Sequence, residues 1–370
     1  MTPKNGLHRL PCNAVKGLNM KAIRIEHAID DYSGLTIVDR QEPIPEPGQL
    51  RVAMKKAALH PSDLNYIRGD YYKGLERLIW NSHRHHPSFD PNHEKPHPTL
   101  PFTPGAEGVG IVDACGDGID QKQWLGKRVA LLAGPPNGTW QQSLLCQPNQ
   151  LAMVPSELPD EQAALMMLNP LTALVMVRYI LNIQQGQWLL QSAGNSTVAK
   201  MVATLGKHFG FHTISIVRHT PPGGSMPLAD VVINSQTDNI AEAVLSATAG
   251  KGADKILDCV GGSLTEQMVQ CLGDHGQMLL YGTLEAPSFN IHARDLMMTN
   301  GRLSGFYLPG WLNRTTPDVL QSVMKELAQL SGLGLFRSEI ADQYPITDVK
   351  KAITAALTPG RNGKILIDMV

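Results

Sequence analysis

The chain has 370 residues, of which 42% are hydrophobic and 18% charged, with a net charge of −1 at neutral pH. That length most often divides into two domains, and the apolar content supports a large core. A near-neutral balance without a basic block argues against nucleic acid as the main partner, and no apolar run reaches the length of a membrane span. Cys12, Cys115, Cys146, Cys259 and Cys271 are scattered without CxxC spacing. They read as reduced thiols of a cytoplasmic protein.

Residues 1–19 lack the apolar core of a signal peptide. Lys4, Arg9 and Lys16 are too few and too poorly patterned for a mitochondrial presequence, so this stretch reads as a loose extension. The first strand is expected to open at Met20–Arg24. Residues 20–158 read as β-rich, with short strands such as Leu50–Ala57 and Arg128–Leu132 between Pro and Gly turns. The stretch 73–100 is an insertion carrying His83, His85, His86, His93 and His97. Such imidazoles can converge on zinc; the preferred reading is a solvated insertion, with no metal site.

From 159 to 335 strands and helices alternate. Strands are expected at 188–193, 213–217, 230–234, 255–259, 277–282 and 303–307, with helices at Asn239–Thr248 and Leu264–Leu272 between them. This is the pattern of a doubly wound parallel sheet with a nucleotide crevice. The helix 317–330 places Val319, Leu320, Val323, Leu327 and Leu330 at helical spacing, a packing face. The tail, 336–370, returns to β character at Lys364–Asp368 and is expected to rejoin the first domain.

The densest signal lies at 187–218. The apolar run Trp188–Leu190 leads into Ser192-Ala193-Gly194-Asn195-Ser196, then a helical pattern over Thr197–Phe209, then a second strand, Thr213–Val217, ending on Arg218. A strand, tight turn and helix place free backbone N–H groups where a pyrophosphate can bind. Against G-x-G-x-x-G the chain offers Gly194, Ser196 and Ala199, with Gly194 expected to make the tight turn. NAD enzymes carry an acidic residue at the end of the second strand; Arg218, assisted by His219, suits a 2′-phosphate and hence NADPH.

The β-rich first part, the motif Pro104-Gly105-Ala106-Glu107-Gly108-Val109-Gly110, the nucleotide domain and the returning tail together resemble the medium-chain dehydrogenase/reductases over about residues 20–370. The resemblance implies an α/β fold: a GroES-like β-rich catalytic domain plus a Rossmann nucleotide-binding domain. The zinc alcohol dehydrogenases of that family need a Cys ligand after an early strand and a His just before the Glu of the Gly-rich motif. Here the early loop is His60-Pro61-Ser62-Asp63, Ala106 precedes Glu107, and the four-Cys lobe is absent. The chain therefore looks like a zinc-less reductase without metal.

Pro61 to Tyr71 resembles the catalytic loop of the mitochondrial-type 2-enoyl thioester reductases, whose active-site Tyr falls on Tyr71, beside Asn65. Asn169-Pro170-Leu171-Thr172-Ala173 is similar to the helix whose Asn contacts the cofactor, which adds Asn169 and Thr172. Asn195-Ser196-Thr197-Val198 matches the phosphate turn, and Tyr281-Gly282-Thr283-Leu284 the loop bordering the nicotinamide. Gly305-Phe306-Tyr307-Leu308 and Trp311 resemble a segment near the cofactor, with Phe306, Tyr307 and Leu308 on the cofactor and Trp311 in the substrate pocket. Lys364 falls on a cofactor-contacting Lys.

The resemblance implies hydride transfer from NADPH to the β-carbon of a carbonyl-conjugated double bond, with Tyr71 as the proton or hydrogen-bond donor. The substrate is then a small molecule or acyl thioester. An NADPH:quinone oxidoreductase is the alternative. A non-catalytic NADPH-binding protein is a third reading, opposed by the intact Asn65, Tyr71 and Asn169. A homodimer pairing through the edge strand 303–307 is expected.

Overall fold

The structure is a computed structural model and describes residues 19–27, 32–71, 100–219 and 228–370. Among the described residues the strands form three sheets. A hairpin pairs β1 (Asn19–Ile25) with β2 (Leu35–Gln41), antiparallel. The large mixed sheet runs β14 (Ile340–Pro345), β15 (Lys364–Asp368), β3 (Leu50–Leu59), β4 (Glu107–Cys115), β5 (Arg128–Leu132), β7 (Leu151–Met153), with β6 (Ser143–Cys146) also on β3. Its core is built from the inward residues of these strands around fully buried Trp140, whose indole Nε1–H donates to the Ala58 carbonyl at 3.0 Å.

The third sheet has six parallel strands in the order β10 (Val231–Asn234), β9 (His212–Val217), β8 (Trp188–Gln191), β11 (Ala253–Asp258), β12 (Leu272–Leu280), β13 (Arg302–Gly305). Helices cover both faces, with Met201, Val202 and Leu205 of the Thr197–Phe209 helix on one and Val244, Met268 and Val269 on the other. Sequence order reverses between β8 and β11. Such a switch point leaves an open crevice at the carboxyl ends of the strands. Among the described residues both outer strands, β10 and β13, have one unpaired edge.

Several expectations need correction. Pro61–Arg68 is a helix, where the resemblance implies a catalytic loop. Pro61 opens it, Gly69 closes it at φ +74°, and the Asp63 carboxylate accepts the His60 N–H at 2.8 Å. Pro at the start and Gly just past the end form a helix signature. The tail contains a further helix, Val349–Leu357, burying Val349, Ala352 and Ile353. It is the crossover that parallel β14 and β15 require. The helix expected over Leu264–Leu272 spans Gly262–Val269; the chain turns at Gln270, and Leu272 begins β12. On the Pro317–Gly332 helix only Val323, Leu327 and Leu330 are buried, while Val319 is exposed. The apolar face is narrower than its spacing suggests.

Candidate active site

The crevice floor is set by Asp258, the last residue of β11 and fully buried. Its carboxylate accepts from Ser192 Oγ (2.6 Å), Thr265 Oγ1 (2.5 Å) and the N–H groups of Val260 and Gly261. Four donors make a buried carboxylate tolerable, and they tie the end of β8 to the loop after β11.

Above it, the turn after β8 holds Ala193 at φ +48°. The left-handed residue is therefore Ala193, not Gly194. Gly194 is required for a different reason: an added Cβ would lie 2.8 Å from Ser215 Cβ and 3.2 Å from the Ile216 carbonyl, so the turn could not sit against β9. Ser196 Oγ accepts the Ala199 N–H at 3.2 Å and caps the Thr197–Phe209 helix. The N–H groups of Thr197 and Val198 belong to the first helical turn, which has no intrahelical acceptors and favours an anion. Asn195 Nδ2 donates to the His219 carbonyl at 3.2 Å, fixing the turn beside exposed Arg218 at the end of β9.

Across the crevice, Asn169 is buried on the Leu168–Leu174 helix, and its Nδ2 has no hydrogen-bond partner. An orphaned buried amide costs about 1–3 kcal/mol, a cost that a bound acceptor would relieve. Thr172 Oγ1, in contrast, donates to the Leu168 carbonyl at 2.7 Å. Gly282 is small because space is short: an added Cβ would lie 2.9 Å from Cys259 Cβ. Tyr281 is hydrogen-bonded to the Cys259 thiol, and burial raises its pKa well above the usual phenol value. Thr283 and Leu284 follow at the exposed rim. Phe306 and Leu308 pack on the core of the parallel sheet, and Trp311 meets Tyr179 edge-on at 6.4 Å. A dinucleotide fits this set: an anion-binding turn, a close-approach glycine and an unpaired amide.

Three tyrosines meet where the Pro61–Arg68 helix approaches the segment after β13. Tyr66 and Tyr71 rings lie 4.7 Å apart, and Tyr71 lies 5.9 Å from Tyr307. The Tyr66 and Tyr307 hydroxyls are hydrogen-bonded to each other, joining the Pro61–Arg68 helix to the segment after β13. Tyr307 thus faces the tyrosines, a contact its sequence context does not announce. Asn65 Oδ1 accepts from Arg68 at 2.7 Å, and its side chain lies close enough to the Tyr71 hydroxyl to lower its pKa. Burial pushes the Tyr71 phenol up to about 12, against the lowering by Asn65, so it keeps its proton at neutral pH. Tyr72 and the insertion histidines His83, His85, His86, His93 and His97 lie outside the described residues.

Behind the tyrosines lies a polar cluster in which sequence reasoning assigns a role to Lys364 alone. His60, Asp63 and Glu107 are each at most 2% exposed. His60 Nε2 lies 2.8 Å from Glu107 Oε1, and Lys364 Nζ lies 3.2 Å from His60 Nδ1. Burial holds the imidazole below its usual pKa, followed by the charge of Lys364. Burial brings the Lys364 ammonium down to about 8. The donors present do not fit zinc. Both His60 nitrogens are engaged, no thiolate is near, a lysine cation stands beside them, and among the described residues no cluster of three or more His, Cys, Asp or Glu could hold a metal.

Comparison with known proteins agrees with this architecture. The family model for an alcohol dehydrogenase GroES-like domain matches residues 46–156, and that for a zinc-binding dehydrogenase matches 197–328. The human mitochondrial enoyl-[acyl-carrier-protein] reductase is 27% identical over 329 residues, covering 86% of this chain and 81% of its own. A Bacillus thuringiensis structure described as an NADPH:quinone reductase superposes with a TM-score of 0.82 at 26% identity, covering 95% of this chain and 100% of that one. A mycobacterial protein solved with NADPH shares the fold, with a TM-score of 0.77 at 21% identity over 94% of this chain and 99% of that one. No helix among the described residues is long and apolar enough to cross a membrane. With a GroES-like β-rich part, a doubly wound parallel sheet and a crevice fitted to a nicotinamide cofactor, the chain belongs to the medium-chain dehydrogenase/reductase family of oxidoreductases.

Proposed function

We propose that this protein is an NADPH-dependent reductase of carbonyl-conjugated double bonds, with 2-enoyl thioesters as its substrate class. The observation that carries the reading is the Tyr71 hydroxyl: protonated, held by Asn65, and packed among tyrosines from both sides of the crevice. When bound, the nicotinamide supplies the hydride. The rest falls to the chain. The turn Gly194 to Val198 would hold the diphosphate, Arg218 and His219 the 2′-phosphate, and Asn169 a polar edge of the nicotinamide half. The loop Tyr281–Leu284 would border the ring, and Lys364 a ribose oxygen. Tyr71 Oη–H would donate to the carbonyl oxygen as negative charge develops there, or deliver its proton to the α-carbon. The tyrosine rings would exclude water from that proton.

A quinone acceptor is the second reading, favoured by the Bacillus relative. It shares the cofactor site and needs no proton donor of fixed geometry. We further propose a cytoplasmic homodimer paired through β13, with no nucleic-acid or membrane partner. The deciding experiment is steady-state reduction of crotonyl thioester and of a benzoquinone by wild type and Tyr71→Phe. Enoyl reduction should fall about ten- to a thousandfold while quinone reduction and NADPH binding hardly change. Wild-type protein that reduces the quinone and leaves the thioester untouched would decide for the second reading.

A further inference from the structure

Lys364, His60 and Glu107 come from β15, from the end of β3 and from the start of β4. They form one hydrogen-bonded chain. Lys364 Nζ meets His60 Nδ1 at 3.2 Å, and His60 Nε2 meets Glu107 Oε1 at 2.8 Å. Glu107 Oε2 accepts the backbone N–H groups of Met167 (3.2 Å) and Leu168 (2.7 Å). The next residue is Asn169, whose buried amide nitrogen has no partner.

The polarity of this chain is determined. An ammonium has only donors, so Nδ1 must accept. The ring is then neutral with its proton on Nε2, which donates to the carboxylate. No other tautomer satisfies both ends, and burial keeps the second proton off.

We propose that His60 is a positioning residue for the cofactor. As the Nε2–H tautomer it fixes the Lys364 ammonium at the crevice. Through Glu107 it couples that ammonium to the start of the helix presenting Asn169. This inference rests on Lys364 and Asn169 being cofactor contacts. The charged or titratable groups around Lys364 are His60, Glu107, Asp63 and Arg361.

The test measures the NADPH dissociation constant by fluorescence titration, with a thermal melt of each variant. Glutamine at position 60 offers one acceptor and one donor, so His60→Gln should bind nearly as wild type does. His60→Leu offers neither and should weaken binding about tenfold or more. Glu107→Gln leaves no cavity. Its single carbonyl oxygen cannot accept from His60, Met167 and Leu168 as a carboxylate does, so it should weaken binding similarly even if His60→Leu does not fold. Lys364→Met should weaken binding, and adding His60→Leu to it should do little more, because coupled groups are not additive.

A folded Glu107→Gln or His60→Leu protein with wild-type affinity, alongside a weakened Lys364→Met, would overturn the positioning role alone. Wild-type affinity in Lys364→Met would overturn the assignment of Lys364 itself. A residue serving only to fill the core would change the melting temperature in these variants and leave the dissociation constant and its coupling to Lys364 unmoved.

Discussion

Replacing Asp63 by Asn should change the way stability depends on pH. Asp63 is 1% exposed, and burial pushes its carboxyl from 3.8 up to about 7, with the Glu107 charge adding to the rise. The His60 N–H, Lys364 and the Gly105 N–H pull it back. Between those two values the folded chain holds a proton that the unfolded chain releases. Wild-type stability therefore declines as pH rises from about 4 to about 7, then levels off. Each pH unit in that window is worth about 1.4 kcal/mol, so pH 5 to 7 spans about 2–3 kcal/mol. Asparagine has no such proton. Its carbonyl can take the place of Oδ2, which accepts the His60 N–H at 2.8 Å, a contact that does not vary with pH. The difference in melting temperature, Asp63→Asn minus wild type, should therefore climb by on the order of 5 °C between pH 5 and 7. Thermal melts at half-unit steps from pH 5 to 8.5 measure it. Parallel curves for the two proteins would show that Asp63 is ionised throughout and that burial does not govern it.

Arg218→Ala should raise the NADPH dissociation constant about ten- to a hundredfold, as for loss of a charge-assisted pair, and leave NADH binding unchanged; equal wild-type affinity for the two cofactors would refute the assignment. Elemental analysis should find well under one zinc per chain and a chelator should not slow the enzyme, whereas stoichiometric zinc would locate a metal site, with His83, His85 and His86 the first residues to test. Light scattering at micromolar concentration should give a dimer. Met297 and Met298, 70% and 77% exposed at the end of the Ala293–Met298 helix that precedes β13, should form part of its interface, so Met298→Glu should weaken the dimer; a wild-type monomer would end that reading.

The elements easiest to read are those whose ends are encoded locally. The Thr197–Phe209 helix is bounded by the Ser196 cap and by Gly210 at φ +78°, both visible as residue types. Of the parallel strands, β8 is legible because cover on both faces makes Trp188–Leu190 a continuous apolar run. What escapes are features that only tertiary packing creates. Tyr66 and Tyr307 are 241 positions apart, and nothing local marks them as partners. Lys364 and His60 are separated by 304, and His60 before a proline looks like an ordinary loop residue. The reason for Gly194 is hidden because close approach to β9 leaves no local mark, while the positive φ falls on Ala193. The Val349–Leu357 helix does carry a local signal, Val349, Ala352 and Ile353 at helical spacing among Ala and Lys, but it is only nine residues long and lies beside the stronger β pattern of Lys364–Asp368.

The position of β15 has a consequence for biosynthesis. This strand lies between β14 and β3, with Ile365, Leu366 and Ile367 fully buried. During translation β3 is made early and β4 and β6 follow soon after, yet its third partner, β15, emerges about 300 residues later. The segments of the six-stranded sheet, by contrast, are contiguous from β8 to β13. A nascent chain can therefore complete its second half first, reversing the usual vectorial order. Until β15 emerges from the ribosome, β6 can cover Leu50–Ala53 of β3, but the Lys56–Leu59 stretch of that edge stays open.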